Sequence, residues 1–162
     1  TANTLNIKSE NMNTLVEKIL KRLRPIAATR NIEVVFESFR PVTAEVDEMK
    51  LSLAISNLVE NAIKYVEANI GRCDLSVEEL SRGLGMSRVH LYKKLLQITG
   101  KTPIEFIRVI RLKRAAQMLR ESQQNVSEIA YQLGFNNPKY FSKYFKDEFG
   151  VLPSVYQERE GR

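Results

Sequence analysis

The stretch NVSEIAYQLGFNNPKYFSKYFKDEFGVLPSVY, residues 125–156, repeats an earlier stretch, SVEELSRGLGMSRVHLYKKLLQITGKTPIEF, residues 76–106. Gly85 recurs as Gly134, 49 residues later, and after one inserted residue the offset becomes 50. Apolar residues match along both copies at the spacing of an α-helix. An internal repeat constrains the architecture strongly, because both copies are expected to fold as the same supersecondary unit.

Each copy has the signals of a helix, a tight turn and a second helix. In the first copy Ser76 and Glu79 have the spacing of a capping box at a helix start. Gly85 then suits the left-handed residue that ends a helix, and Ser87 can cap the next one. The second copy repeats these signals with Asn125, Glu128, Gly134 and either Asn136 or Asn137. This order is the helix-turn-helix pattern, so the sequence predicts two such lobes.

The segment PIEFIRVIRLKRAAQMLRES, residues 103–122, connects the two copies. Pro103 suits the first turn of a helix, and the apolar residues after it form a broad stripe that includes Ile104, Ile107 and Ile110. About 18 helical residues span roughly 27 Å, close to the roughly 34 Å between successive major-groove faces of DNA. We therefore expect a mainly α fold in which one long helix holds two DNA-reading helices for adjacent major grooves.

The charge is unevenly placed along the 162 residues. Of the 25 basic and 19 acidic residues, 9 and 8 lie before residue 67, and the remaining surplus lies after it. A local basic surplus favours an anionic partner, with nucleic acid first, acidic membrane surface second, and a merely solvated face as the alternative. A single cysteine, Cys73, and a single histidine, His90, argue against an internal disulfide and a Cys- or His-rich metal site. No apolar run approaches the roughly 20 residues of a membrane span, so we predict a cytoplasmic chain without membrane insertion.

Residues 67–157 resemble the bipartite DNA-binding domain of AraC/XylS-type transcription regulators. The resemblance rests on the two glycine turns and on Gly-Phe, Tyr-Phe-Ser, Phe-Lys and Gly-x-x-Pro-x-x-Tyr in GFNNPKYFSKYFKDEFGVLPSVY. It implies seven helices in two helix-turn-helix lobes joined by a long helix, with a short first helix around Glu67 to Ile70. We predict that residues 158–162 form a C-terminal tail.

The resemblance and the amphipathic pattern together give candidate DNA-binding residues on the second helix of each lobe. Those of the two lobes in turn are Arg88, Val89, Tyr92 and Lys93, and then Asn137, Pro138, Lys139 and Lys143. Lys93 can reach guanine acceptors and Val89 a thymine methyl. Pro138 has no N–H to donate, so the second lobe is expected to position more than to read. Tyr92 and Tyr140 are alternatively partly buried core residues. Candidate phosphate contacts are Ser76, Ser87, Arg111 and Asn125, although Arg111 is alternatively a solvated residue of the connecting helix.

Residues 1–66 have a different pattern, with the order β-α-β-β-α. The predicted strands are LNI, IEVVFES and AEVD, and the predicted helices cover residues 11–31 and 48–66. NLVENAIKY, residues 57–65, resembles the N box of histidine-kinase ATP-binding domains. That resemblance implies a Mg²⁺ ligand at Asn61, a water- or proton-handling group at Glu60, and phosphate-proximal positions at Asn57 and Lys64. The alternative is a solvated polar helix face.

The glycine-rich segments that follow the N box in that family are missing here, so residues 1–66 correspond to half of a Bergerat-type domain. We predict no catalytic residues, no metal, no ATP hydrolysis and no cofactor, with ATP and Mg²⁺ relevant only to an intact parent. The half-domain is expected to expose apolar surface, and so either to pack loosely or to self-associate. An engineered deletion, a misjoined gene model and a spliced record would each give such a join near residue 65.

Together these features resemble a truncated hybrid two-component regulator. The sequence predicts a sequence-specific DNA-binding transcription regulator that serves as the output domain of a signalling protein. The alternative is a fragment of an ATP-binding sensor histidine kinase with an attached DNA-binding domain. Double-stranded DNA is the predicted partner, RNA polymerase and a second copy of the chain are candidate partners, and the parent is a candidate for inner-membrane anchoring.

Overall fold

A computed structural model describes residues 7–29, 43–46 and 48–161. The described residues are mainly helical, which confirms the predicted fold class. In chain order the elements are β1 (Lys8–Asn11), α1 (Met12–Ala28), β2 (Thr43–Val46), α2 (Glu48–Ala68), α3 (Val77–Gly83), α4 (Arg88–Thr99), α5 (Pro103–Glu121), α6 (Val126–Gln132), α7 (Pro138–Phe149) and α8 (Pro153–Glu160). No described helix is both long and apolar enough to cross a membrane.

The first part of the chain contains two helices and a two-stranded sheet. β1 pairs antiparallel with β2, from Lys8 opposite Val46 to Asn11 opposite Thr43. The first strand begins at Lys8, just after the predicted LNI, and the second overlaps the predicted AEVD. The predicted strand IEVVFES lies outside the described residues. Asn11 caps α1, because its side-chain oxygen accepts hydrogen bonds from the N–H groups of Asn13 and Thr14 at 3.0 and 3.2 Å.

α1 and α2 pack closely, contrary to the expectation of a loose half-domain. Nine apolar residues of the two helices are 3% exposed or less, namely Leu15, Ile19, Leu20, Leu23 and Ala27, with Val59, Ala62, Ile63 and Val66. The same cluster continues without a break into the first helix-turn-helix lobe, through Leu80, Leu91 and Leu95. Exposed apolar side chains do occur here, at Ile26 and Leu53. Loose packing is therefore not seen in the described helices, and self-association stays a prediction.

The predicted boundary between residues 66 and 67 falls inside α2, which runs unbroken to Ala68. The short first helix expected around Glu67 to Ile70 is therefore the C-terminal end of a longer helix, followed by a turn. Because α2 packs into the core of the first lobe, it takes the place of that first helix. α2 and the six helices after it make the predicted seven.

The two lobes have the helix signals that the repeat predicted. Capping boxes start α3 at Ser76 and α6 at Asn125. Gly85 and Gly134 have φ values of 67° and 78°, in the left-handed region that glycine adopts without strain. Asn137, rather than Asn136, caps α7, since its side-chain oxygen accepts a hydrogen bond from the Lys139 N–H at 2.9 Å. The capping residues and the glycine of each copy were therefore enough to predict where each turn lies.

α5 is the connecting helix, and it contributes to two separate cores. Its 19 residues are about 28 Å long at 1.5 Å per residue. Phe106, Ile107 and Ile110 belong to the first cluster, whereas Leu112 and Leu119 belong to the second. The second cluster is completed by α6, α7 and α8, mostly with aromatic side chains. One rigid element thus supports both lobes, as predicted.

Candidate nucleic-acid interface

α4 presents the four residues predicted for the first lobe to solvent. Val89 is 65% exposed and Tyr92 is 47% exposed, and Arg88 and Lys93 are also exposed. On the opposite face Leu91 and Leu95 are fully buried. Helical geometry explains the division, because residues three or four positions apart share a face. Tyr92 is therefore a surface residue and not the core residue that was the alternative.

The same four side chains line a groove of about 600 Å³ between α4 and the starts of α3 and α5. Its remaining lining comes from Ser76, Val77, Glu78, Thr102, Pro103 and Ile104. Ile104 is 64% exposed, so its assignment to the buried stripe of α5 was wrong. It lies in the first turn of α5, next to the groove rather than over the first core. Helical periodicity alone therefore did not predict this cleft beside α4, which is lined by basic and apolar side chains.

α7 presents a different surface in the second lobe. Lys139 and Lys143 are exposed, whereas Asn137 and Pro138 are half-buried at the start of the helix. Tyr140 is 60% exposed, although its neighbour Phe141 is fully buried. The sequence suggested a core role for Tyr140 because of that neighbour, but consecutive helical residues point about 100° apart. Tyr140 joins the candidate surface as a residue that the DNA-binding prediction omitted.

Four cations of these surfaces have no acidic partner among the described residues, namely Arg88, Lys93, Lys139 and Lys143. Arg72 shows the contrast, because its guanidinium bonds the carboxylates of Asp74 at 3.2 Å and Glu79 at 3.1 Å. Those bonds lower the pKa of both carboxyls and raise that of Arg72. Two carboxylates at the start of the first lobe thus share one cation, Arg72, which the chain itself supplies. The cations on the two second helices remain available to an external anion.

The four candidate phosphate contacts are not equivalent. At Ser76 the hydroxyl accepts from the Glu79 N–H at 3.1 Å, and the Glu79 carboxylate accepts from the Ser76 N–H at 3.3 Å. Asn125 forms the same reciprocal pair with Glu128, both bonds at 2.9 Å. A carboxylate at a helix start occupies the place that an anion would take. These contacts disfavour Ser76 and Asn125 as phosphate contacts. Ser87 remains, because the first turn of α4 has no acidic residue.

Arg111 does not point to solvent, which corrects both interpretations made from the sequence. Its guanidinium donates a hydrogen bond to the carbonyl oxygen of Arg72, in the turn after α2. It also lies against Gly134, in the glycine turn of the second lobe. Burial lowers the pKa of the Arg111 guanidinium. A side chain engaged in this way is not free to reach a phosphate, so we remove it from the candidate interface.

The N-box-like residues lie on the outer face of α2. Asn57, Asn61 and Lys64 are exposed and Glu60 is half-buried. The Lys64 ammonium pairs with the Glu60 carboxylate one helical turn away at 2.9 Å. Within the described residues, no group of three or more His, Cys, Asp or Glu side chains could hold a metal ion. This arrangement matches the solvated polar face that was the alternative to a nucleotide site.

A family model of helix-turn-helix domains matches residues 80–159. The solved C-terminal domain of AraT, a response regulator from Geobacillus stearothermophilus, is 30% identical, with a TM-score of 0.61 over 67% of this chain and 89% of that domain. The chain belongs to the AraC-type family of helix-turn-helix proteins. An AraC-type DNA-binding domain protein from Chromobacterium violaceum has the same fold, with a TM-score of 0.63, 24% identity, and coverage of 68% of this chain and 97% of that one.

Among curated proteins, this AraC-type chain is 39% identical over 145 residues to Histidine kinase P4 of Formosa agariphila. The match covers 89% of the chain but only 10% of that protein. The chain likewise spans half or less of the next two curated relatives, 50% and 35% of their lengths.

Proposed function

We propose that the chain is the sequence-specific DNA-binding part of a transcription regulator, with α4 and α7 as its recognition helices. The observation that carries the proposal is the exposed, unpaired basic surface on the second helix of both lobes. The AraC-type family supports it, because the relatives and neighbours that share this fold include operon regulators and response regulators. Basic side chains on an exposed helix provide the electrostatic attraction that DNA phosphates require.

In the first lobe we assign base reading to Val89, Tyr92 and Lys93, with Arg88 on a phosphate or a base edge. Lys93 suits the acceptors of guanine, and the Val89 methyl groups suit the thymine methyl. Tyr92 is exposed and lies in the groove beside them, where its ring and hydroxyl can contact base edges. Free N–H groups at the start of α4, near Ser87, add a phosphate position.

In the second lobe we assign positioning to Lys139, Tyr140 and Lys143. Asn137 is half-buried and its side-chain oxygen already caps α7, and Pro138 lacks an N–H. Both residues are therefore poorly placed to recognise a base edge. They are better suited to holding the start of α7 against the DNA backbone. The lobes share a fold but differ in the chemistry of their helix starts, which favours base reading by α4 and backbone contact by α7.

We infer further that the chain is the output end of a hybrid signalling protein. The match to Histidine kinase P4 is too long to be confined to residues 67–162, so it crosses the join near residue 65. α2 likewise crosses that join as one helix, and its core is shared with the first lobe. We propose that α1 and α2 brace the first lobe, with which they share a core, and that they carry out no nucleotide chemistry. We place the regulator in the cytoplasm. RNA polymerase and a second copy of the chain are the proposed protein partners.

Selection of binding sites from random duplex DNA tests the proposal directly. We expect enrichment of one motif about two helical turns long, bound at least a thousandfold more tightly than random duplex at physiological salt. Affinity should fall steeply as salt rises, since bound phosphates release counterions. Equal affinity for selected and random duplexes would contradict sequence-specific recognition. A Mg-ATP titration should leave the melting temperature unchanged, and a clear rise would instead support the kinase-fragment alternative.

A further inference from the structure

The two lobes meet directly at a junction away from both recognition helices. On one side is the turn after α2, with Ile70, Gly71 and Arg72, and on the other is the turn between α6 and α7, with Gly134. The side chain of Ile70 packs against both hydrophobic clusters. The lobes are therefore joined by a second contact besides α5.

Close backbone approach makes this junction specific for glycine. A Cβ atom at Gly71 would lie 3.0 Å from the carbonyl oxygen of Gln132, and one at Gly134 would lie 2.9 Å from that of Ile70. Both distances are shorter than van der Waals contact between carbon and oxygen allows. At these two glycines the backbone of one turn therefore lies against the backbone of the other lobe.

Arg111 completes the junction from α5. Its guanidinium donates to the Arg72 carbonyl oxygen, and a Cβ atom at Gly134 would lie 2.9 Å from one of its terminal nitrogens. Its Nε is buried without a hydrogen-bond partner among the described residues, and no carboxylate there pairs with it. A partly desolvated cation without a counterion contributes little net stability, because the desolvation cost offsets the bond. Its directional bond does, however, fix the position of one turn relative to the helix that bears both lobes.

We propose that Arg111, with Gly71 and Gly134, is a positioning element that sets the separation and orientation of the two recognition helices and so the spacing of half-sites that the chain accepts. The inference rests on the proposed function, because half-site spacing has meaning only if both helices bind DNA. The α5 helix alone limits the distance between lobes but leaves rotation of each lobe less restricted. The junction supplies the second point of attachment that removes this freedom.

A distance measurement without DNA tests the junction independently of function. Spin labels are placed at two exposed positions, Q97C on α4 and K146C on α7, in a C73S background. We expect a narrow distance distribution in the parent and a clearly broader or shifted one in R111M, which keeps the aliphatic length but cannot donate to Arg72. The matched control is R114M on the same helix, because Arg114 is exposed and bonds only Gln117 within α5. A distance distribution in R111M that has the same mean and the same width as in the parent would overturn the inference.

DNA binding provides the second readout, on duplexes carrying the selected site with its half-sites moved by one base pair closer or farther, and on duplexes with a single half-site. The parent should bind the natural spacing at least tenfold more tightly than the shifted ones. In R111M that preference should fall several-fold while single half-site affinity stays unchanged. A uniform loss on every duplex, including the single half-site, would overturn the inference and identify a direct phosphate contact.

One further variant and a folding control separate the outcomes. G71A opens the junction from the other side, so it should reproduce the R111M effect on spacing even if R111M itself folds poorly. Circular dichroism checks the helical content of each variant. If the parent fails to distinguish selected from random duplexes, the proposed function fails, whereas the label distances still decide whether the junction orients the lobes.

Discussion

The two helix-turn-helix lobes arise from one repeated sequence pattern, yet they present different surfaces. Their buried positions correspond, with Leu91 and Leu95 in one lobe where Phe141 and Phe145 lie in the other. The residues at the starts of their second helices do not correspond. α4 begins at an open serine cap beside a basic and apolar groove, whereas α7 begins at a half-buried Asn-Pro pair. The two copies of the repeat thus share their buried positions and their glycine turn. The exposed residues at the start of the second helix determine what each lobe can contact.

The largest expected effect tests the two cores. Phe145 packs against Phe149 and Tyr156 with ring centroids at 4.5 and 5.4 Å, whereas its counterpart in the first lobe is the smaller and equally buried Leu95. We expect Phe145→Ala to lower the free energy of unfolding by about 3–5 kcal/mol, and Leu95→Ala by less. Urea unfolding measures both. Tyr140→Ala, at an exposed position of the same helix, should change stability by only about 0.5 kcal/mol. A cost for Tyr140→Ala as large as that for Phe145→Ala would show that the second core is misassigned.

The two turn glycines are expected to differ next. Both have positive φ, so alanine at either should cost about 1–2 kcal/mol through backbone strain. A methyl group at Gly85 would meet nothing within 4 Å, but at Gly134 it would collide with Arg111 and Ile70. Gly134→Ala should therefore destabilise the chain more than Gly85→Ala, as measured by thermal unfolding. Equal melting temperatures for the two variants would mean that the lobes do not meet at this turn.

The matched lysines of the two recognition helices distinguish reading from positioning. Lys93→Ala should weaken binding to the selected site about tenfold and relax the preference at one base pair, consistent with roughly 1–3 kcal/mol for a good base contact. Lys143→Ala, at the corresponding position, should weaken all duplexes alike and reduce the slope of log affinity against log salt by about one. Lys94, exposed on another side of α4, provides the control variant Lys94→Ala. If Lys143→Ala alters base preference as Lys93→Ala does, then both lobes read sequence.

The smallest expected effect concerns acid stability of the first lobe. Hydrogen bonds from Arg72 lower the pKa of the Glu79 and Asp74 carboxyls in the folded state. Protonation then occurs more readily in the unfolded chain, so this contribution is complete above the ordinary carboxyl pKa of about 4.5 and is lost as pH falls below it. Glu79→Gln should flatten the dependence of stability on pH between about 2 and 5. Adding Arg72→Met to Glu79→Gln should flatten the dependence further, because the Asp74 carboxyl then also loses its hydrogen bonds from Arg72, and an unchanged slope would show that the Arg72–Asp74 pair contributes nothing.

Predictions from the sequence succeeded where a residue's role depends on its immediate neighbours. Capping boxes, glycine turns and the amphipathic division of α4 and α7 are all local, so their residues and boundaries could be inferred. Predictions failed for long side chains that can extend either into solvent or across the surface to another element. Arg111 was expected to contact a phosphate or solvent, but it reaches Arg72 in another turn, and the Arg108 guanidinium lies over the Tyr144 ring at 4.1 Å. Neither contact leaves a signal in spacing along the chain.

The sequence by itself determined the mainly helical fold, the two lobes, the connecting helix and the family, because repeat, periodicity and caps depend on short-range interactions. Only the tertiary structure decided that α2 continues through residue 66 into the first core, that Ile104 and Tyr140 face solvent, and that Arg111 joins the two lobes. Those outcomes depend on which surfaces meet after the helices pack. Burial and desolvation of a side chain are properties of that packing, and the order of residues does not contain them directly.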